Sequence, residues 1–444
     1  TTEMTFSSTD YTFDGATTFT ALSTGDIDMA AAVEFTTIAD NISFVSGDIE
    51  LANQANLSID TGAAGGNITI GGSILGVSVE TVTLDAGTGT TSVGVIGNAA
   101  EIGALSIGSS DNGGITLNGA IVTDGAVTFD GPVTLATGAV SVTTGDNALT
   151  FNHTIDGAQA LTLVSGTAAT AVQGEIGGTT ALSSLTATNT TAAGTIELTN
   201  IGGVTGATAI GNTNTTTLTL DGTAYSTAGT QTYTAKAGQN IDITGTSATF
   251  TTTNDNIGFA TAGVDLLNDS TTTINTGTGA GTVTFGGAIE TAGGDDDLLV
   301  VTSGAGNVTF TGAIGATNEL GGLSVNASAG AGTITFTSTI GATNNTKGIV
   351  GTTAVGNAAT TEMTFSSTDY TFDGATTFTA ASNANIDIAA AVEFMTMNDN
   401  ISFVSGLMEL ADSANLDIDT GAGAGDITVG ASIGGTSVET VTLD

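Results

Sequence analysis

The chain has 444 residues and carries 43 acidic side chains against two lysines, for a formal net charge of −41. That balance excludes phosphate-backbone recognition and attachment to anionic membranes, both of which need clustered cations; the absence of cysteine excludes disulfides and thiolate metal sites. Sixty-five glycines with a single proline exclude collagen, and a 40% share of hydrophobic residues, rich in Val, Ile, Leu and Phe but lacking Trp, argues against disorder and for an all-β chain.

The chain opens on TTEMTFSSTDYTFDGATTFTA (1–21), in mid-pattern, without an initiating methionine or a signal peptide, so it is expected to be a mature portion or an excerpt. No run of 18 apolar residues suggests a membrane-spanning helix. At Asp26-Ile27-Asp28, strand alternation sets both acids on an outer face. The phrases GNITIGGSI (66–74), GGITLNGAI (113–121) and AVTFDGPVTL (126–135) alternate apolar and polar residues between Gly, Asn, Asp and Ser, as short strands and tight turns demand. His153 is the sole histidine; it cannot assemble a histidine metal site and reads as a solvent or turn residue. Several sequons occur, including those at Asn41, Asn56, Asn67, Asn152, Asn214, Asn307 and Asn400, and in a chain this rich in Asn and Thr most arise by chance.

Farther along, Gly277 to Gly281 has no following Lys-Ser/Thr and reads as a turn, as does Gly421 to Gly425. The segments GTVTF (281–285), GNVTF (306–310) and GTITF (332–336) then place Phe285, Phe310 and Phe336 at intervals of 25 and 26 residues. Each is followed by a related phrase, GGAIE, TGAIG or TSTIG, and second strands such as DLLVVTSG (297–304) and GLSVNASAG (322–330) lie between them. A period of roughly 20 to 26 residues, built from two or three short strands and tight turns, is one coil of a right-handed parallel β-helix, or β-solenoid. The three phenylalanines then form an internal core ladder. The competing architecture is a string of tandem Ig-like β-sandwich domains, for which the Trp or Tyr core signature is missing.

Asp295-Asp296-Asp297 after Gly293-Gly294 is the densest acidic cluster, a candidate calcium turn whose plainer reading is a solvated loop. Calcium is the one cofactor the chain suggests. Finally, residues 1–85 recur as 360–444 at a constant offset of 359, with 65 positions identical and 20 changed. Residues 1–359 therefore form one long tandem unit and 360–444 the start of the next, as expected of a cut through a longer array. Asp417-Ile418-Asp419 offers another outward acid pair. The match of Gly430-Ala431-Ser432-Ile433-Gly434 to a nucleophile elbow is lost in the earlier copy, which ends on Leu75, and no histidine follows it.

The phrases AQALTLVSG (158–166), GEIGGTTALSSLTATNT (174–190) and NVTFTGAIGATNELGGLSVNAS (307–328) resemble the β-strand-repeat surface proteins of bacteria, similar to filamentous-haemagglutinin-like and autotransporter-type adhesins. The resemblance implies a secreted, cell-surface, rod-like protein serving adhesion, sheath or filament roles. The expectation is thus a non-enzymatic structural segment of a giant extracellular fibre, sheath or surface-layer protein, with the stalk of a large adhesin as the alternative. Its partners would be copies of itself or further repeats of the chain, with no nucleic acid and no membrane insertion; any cell-surface or glycan ligand is left unspecified.

Overall fold

A computed structural model describes residues 3–108, 113–267, 270–291, 297–327, 332–342, 348–436 and 438–444. Among these residues the regular structure is entirely short β-strands, and every strand pair given by the ladders is parallel. The fold is a β-solenoid with about 24 residues per coil. Parallel pairing between segments one coil apart excludes the Ig-like alternative, whose sheets are antiparallel. Two compact units are distinguished, Thr1–Thr216 and Thr217–Asp444.

In the first unit each of the opening coils gives one strand to each of three sheets. Glu3–Phe6, Asp26–Met29 and Asp48–Leu51 pair in order in one sheet. Asp10–Thr12, Val33–Thr36, Leu57–Asp60 and Thr81–Asp85 do so in the second. Thr17–Thr20, Ile42–Ser46, Ile68–Ile70 and Thr90–Val93 form the third. The alternation read from the sequence becomes literal here, because successive side chains point to opposite faces of a strand. In Ile68–Ile70 the two isoleucines are buried and Thr69 is exposed.

The second unit repeats this design. One of its sheets stacks Gln231–Thr234, Ile257–Ala260, Val283–Phe285, Val308–Phe310, Thr333–Phe336 and Glu362–Phe365. The sequence boundary at 359/360 is therefore crossed by unbroken pairing between Thr333–Phe336 and Glu362–Phe365. Where strands are too short for a ladder, single bridges continue the register, as in Ile289↔Ile314↔Ile340↔Tyr370.

Two side-chain devices close the corners. Buried hydroxyls donate to carbonyls of the loop that follows: Thr61 Oγ1 to Gly66 O at 2.7 Å, Thr276 Oγ1 to Gly281 O at 2.9 Å and Ser303 Oγ to Gly306 O at 2.6 Å. This satisfies loop carbonyls that the coil turns away from water. Glycine is required where one turn lies directly on the next. Gly97 and Gly177 have φ of 70° and 73°, and a Cβ on either would collide with a carbonyl of the neighbouring coil, that of Val122 or of Gly203.

Candidate functional site

The inward ladder is the most regular feature of the second unit. Phe285, Phe310 and Phe336 are about 1% exposed and stack with ring centroids 5.2 and 5.0 Å apart and planes within 5°. Phe259 and Phe365 extend the stack at 5.2 and 5.4 Å. One strand spacing sets the interval, and offset parallel stacking is a favourable aromatic geometry at that separation. Identical residues in identical register thus make a dry core whose chemistry is packing.

The outer faces carry the charge. In the first unit Glu3, Asp26 and Asp48 sit in register on three neighbouring strands, with Asp28 and Glu50 paired two residues along. A side-chain hydrogen bond with Asp28, together with that residue's charge, pushes the Glu3 carboxyl above its ordinary value. Desolvation and then the charges of Asp26, Asp28 and Asp48 do the same to Glu50. The later copy replaces two members of this set by Asn385 and Leu407, leaving Glu362, Asp387 and Glu409. A row in the second unit, Asp242↔Asp265↔Glu290, is likewise pushed up by burial at all three positions. Part of it is used structurally: Asp265 Oδ2 accepts from Asn240 Nδ2 at 2.6 Å, and Glu290 Oε2 accepts from the backbone N–H of Asn318 at 2.7 Å.

Of the candidate calcium turn, Asp295 and Asp296 lie outside the described residues. Asp297 is buried, its Oδ1 accepting the Ser270 N–H at 2.8 Å and its carbonyl the Gly321 N–H at 2.9 Å. It belongs to coil-to-coil bonding. Among the described residues no group of three or more His, Cys, Asp or Glu is arranged to hold a metal ion. His153 is partly exposed in a bend, and Ser432 lies exposed on the strand Ser432–Gly434. The depressions on the surface are shallow; one of about 320 Å³ is floored by Glu34, Ser58, Thr81 and Thr83 of the second sheet and gathers no catalytic set.

Five of the seven sequon asparagines named above, Asn41, Asn56, Asn67, Asn307 and Asn400, acquire a function that chance did not suggest. Asn41 Oδ1 accepts the Asn67 N–H at 2.8 Å, Asn67 Oδ1 accepts the Thr90 N–H at 2.9 Å, and Asn56 Oδ1 accepts the Thr81 N–H at 2.9 Å. Asn307 and Asn400 bond in the same way to Thr333 and Asp426 at 3.1 and 2.8 Å. Each asparagine stands just ahead of a strand and staples it to the strand one coil later. The next residue points inward and must be apolar, and the one after points outward and is Ser or Thr. Asn-apolar-Ser/Thr is therefore the signature of a staple followed by alternation. The same staple occurs without a sequon at Asn256 and Asn415, toward Thr282 and Thr440.

Glu80 is a second residue that sequence reasoning missed. Its side chain is buried, with Oε2 accepting the Val77 N–H at 2.7 Å and Oε1 the Gln54 N–H at 3.0 Å, so one carboxylate ties two successive coils. Desolvation pushes this carboxyl up, but the N–H groups of Val77, Glu80, Gln54 and Val79 outweigh it and leave it below its ordinary value. No signal in the sequence marked it, since its partners are a turn 26 residues away and its own loop.

Comparison with protein-family models, with curated proteins and with solved structures returns no match. Among the described residues the side chains align coils, cover a core and present a carboxylate surface.

Proposed function

We propose that the chain is a non-catalytic structural segment of a long, repetitive extracellular protein of the fibre, sheath or surface-layer kind. The observation that carries this reading is the continuation of coil stacking through the repeat boundary, with Thr333–Phe336 pairing in register onto Glu362–Phe365. Among the described residues the second copy begins there with the same parallel pairing continued, which is what an extensible array needs. The negative outer face supports the same reading: a β-rich chain with a charge of −41 repels its neighbours sideways and stays dispersed. Stability without cysteine suits a protein whose length comes from repetition instead of covalent cross-links.

The test is immunoelectron microscopy on intact cells that make the protein, using antibodies raised against the 444-residue chain. Labelling in continuous surface layers or filaments on unpermeabilised cells is the expected result. Labelling confined to permeabilised cells would overturn the extracellular assignment.

A further inference from the structure

The face outside the aromatic ladder of the second unit is uncharged, regular and flat. On the strands Val283–Phe285, Val308–Phe310 and Thr333–Phe336 the buried residues alternate with Thr284, Thr309 and Thr335, which lie in register one strand spacing apart. Two residues before each stand Thr282, Asn307 and Thr333, on the same side of the sheet by strand alternation and all at least partly exposed. Among the described residues no acidic side chain occupies an outward position on the strands from Gln231–Thr234 to Thr333–Phe336, whereas Asp242, Asp265 and Glu290 line another sheet of the same unit. The rings beneath, from Phe259 to Phe365, keep their planes within 7° between successive coils, so the strands follow one another with almost no twist. An ordinary sheet rotates by about 20–25° per strand.

The hydroxyls of this face are uncommitted. Among the described residues the side chains of Thr282, Thr284, Thr309, Thr333 and Thr335 make no hydrogen bond, while the inward Thr276 and Ser303 donate theirs to loop carbonyls. The outward positions hold no large apolar side chain to anchor a protein and no charge to hold an ion. A neutral face of hydrogen-bonding groups is the charge complement of a neutral partner that is itself a lattice of donors and acceptors. The backbone sets its two repeats, about 4.8 Å from strand to strand and about 6.6 Å between alternate residues along a strand. Both are close to oxygen–oxygen repeats on a prism face of hexagonal ice.

We infer that this face binds the surface of ice, with Thr284, Thr309 and Thr335 as the central column of the contact and Thr282, Asn307 and Thr333 beside it. A water held by each hydroxyl lies near a lattice position of the crystal, and the threonine methyls order the waters that the hydroxyls do not reach. One such contact is worth little in liquid water, but a rigid array loses almost no further freedom on binding, so many weak contacts add. The missing twist has a use here: at the ordinary rotation per strand the columns would leave a crystal plane after a few coils. The inference goes beyond the structural role and does not depend on it.

The experiment is ice-affinity partition of the full chain. A dilute solution is frozen slowly onto a cold surface, and the protein concentration in the ice is compared with that in the remaining liquid, with serum albumin as the excluded reference. Thr309→Tyr and Thr335→Tyr each put a bulky ring into the array at an outward strand position, where a β-favouring side chain leaves the pairing intact. Thr273→Tyr makes the same change on Thr271–Asn275, a strand of another sheet. Circular dichroism confirms that each is folded. The parent and Thr273→Tyr are expected in the ice fraction, and either array variant is expected to fall to the level of the reference. A parent chain excluded like the reference, array variants that partition like the parent, or an equal loss in Thr273→Tyr would overturn the inference. Any of these outcomes leaves the surface-labelling test of the structural role untouched.

Discussion

Residues 3–85 and 362–444 are nearly the same text in different surroundings, and they separate what sequence decides from what neighbours decide. Their aromatic clusters are superimposable in detail. Phe6 lies 5.0 Å from Phe35 with planes at 86°, and Phe365 lies 5.0 Å from Phe394 at 85°. Phe19 stacks on Phe44 at 4.7 Å, and Phe378 on Phe403 at 4.8 Å. Inner residues such as Ile27 and Ile386, or Phe35 and Phe394, are equally buried in both. The differences in exposure fall on the first coil of the early copy and the last coil of the later one, the two that no described coil covers, which is how a quasi-one-dimensional fold with nearest-neighbour coupling should behave.

The sharpest way to break this comparison is to make one substitution in both places. Phe378→Ala removes a ring that is 0% exposed and is expected to cost about 3–5 kcal/mol. Phe19→Ala, in the same local sequence, removes a partly exposed ring and should cost less than half as much. Denaturant midpoints for the two variants give the contrast, and equal losses would refute the claim that the neighbouring coil sets the difference.

Next in size is the carboxylate staple. Glu80→Ala strands the N–H groups of Gln54, Val77 and Val79 and should cost about 2–3 kcal/mol. Glu439→Ala in the later copy acts on a more open loop, where the corresponding Ser413 N–H lies 3.4 Å from the carboxylate, and should cost about 1 kcal/mol or less. Hydrogen exchange at the stranded amides reads both. Smaller again is Asn67→Ala, which removes the acceptor for Thr90 and is expected to cost about 1 kcal/mol. Asp426→Ala, its counterpart with no stacked strand ahead of it, is expected to be close to neutral by thermal melting.

The smallest effect concerns the acid rows. Glu3, Glu50, Asp242, Asp265, Glu290, Asp387 and Asp417 are all held above the ordinary values of 4.5 for Glu and 3.8 for Asp. Across the range from those values up to the raised ones, the folded chain binds more protons than the unfolded one. Their joint contribution therefore favours folding as pH falls toward 4.5 and is lost as pH rises. Glu80 runs the other way, its contribution disappearing as pH falls through its lowered value. The net expectation is a urea midpoint that rises as pH falls toward 4.5, opposite to ordinary acid denaturation. Converting the early row toward the later one with Asp26→Asn should flatten that slope and raise neutral-pH stability by about 0.2–1 kcal/mol.

The fold was largely legible because the coil repeats its own wording. Three T-x-T-F-like phrases at nearly equal intervals fix strand, turn and inward residue together, and Phe285, Phe310 and Phe336 are stacked in register. The staples were not legible, because a hydrogen bond from Thr90 to Asn67 depends on which residues come opposite after a full coil, a register that no single coil specifies. Asn-apolar-Ser/Thr read as chance composition for the same reason. Exposure at the two edges escaped as well: Tyr11 and Tyr370 have identical flanking sequence, and the next coil alone distinguishes them. The acidic run at 295–297 illustrates the limit of composition, since Asp297 is a buried acceptor of the Ser270 N–H.

The central claim is that neighbouring coils lie in parallel register one strand apart, and the absence of native cysteine makes it directly measurable. Thr284 and Thr309 are register partners on adjacent coils, and Thr335 is the next along. At a strand spacing of about 4.8 Å the first two lie within disulfide reach, whereas two spacings exceed it. The variant Thr284→Cys/Thr309→Cys is predicted to oxidise to an intramolecular disulfide in the folded chain, with Thr284→Cys/Thr335→Cys remaining reduced under the same conditions. Comparable oxidation of the two pairs, or none in the first, would contradict the stacked-coil architecture.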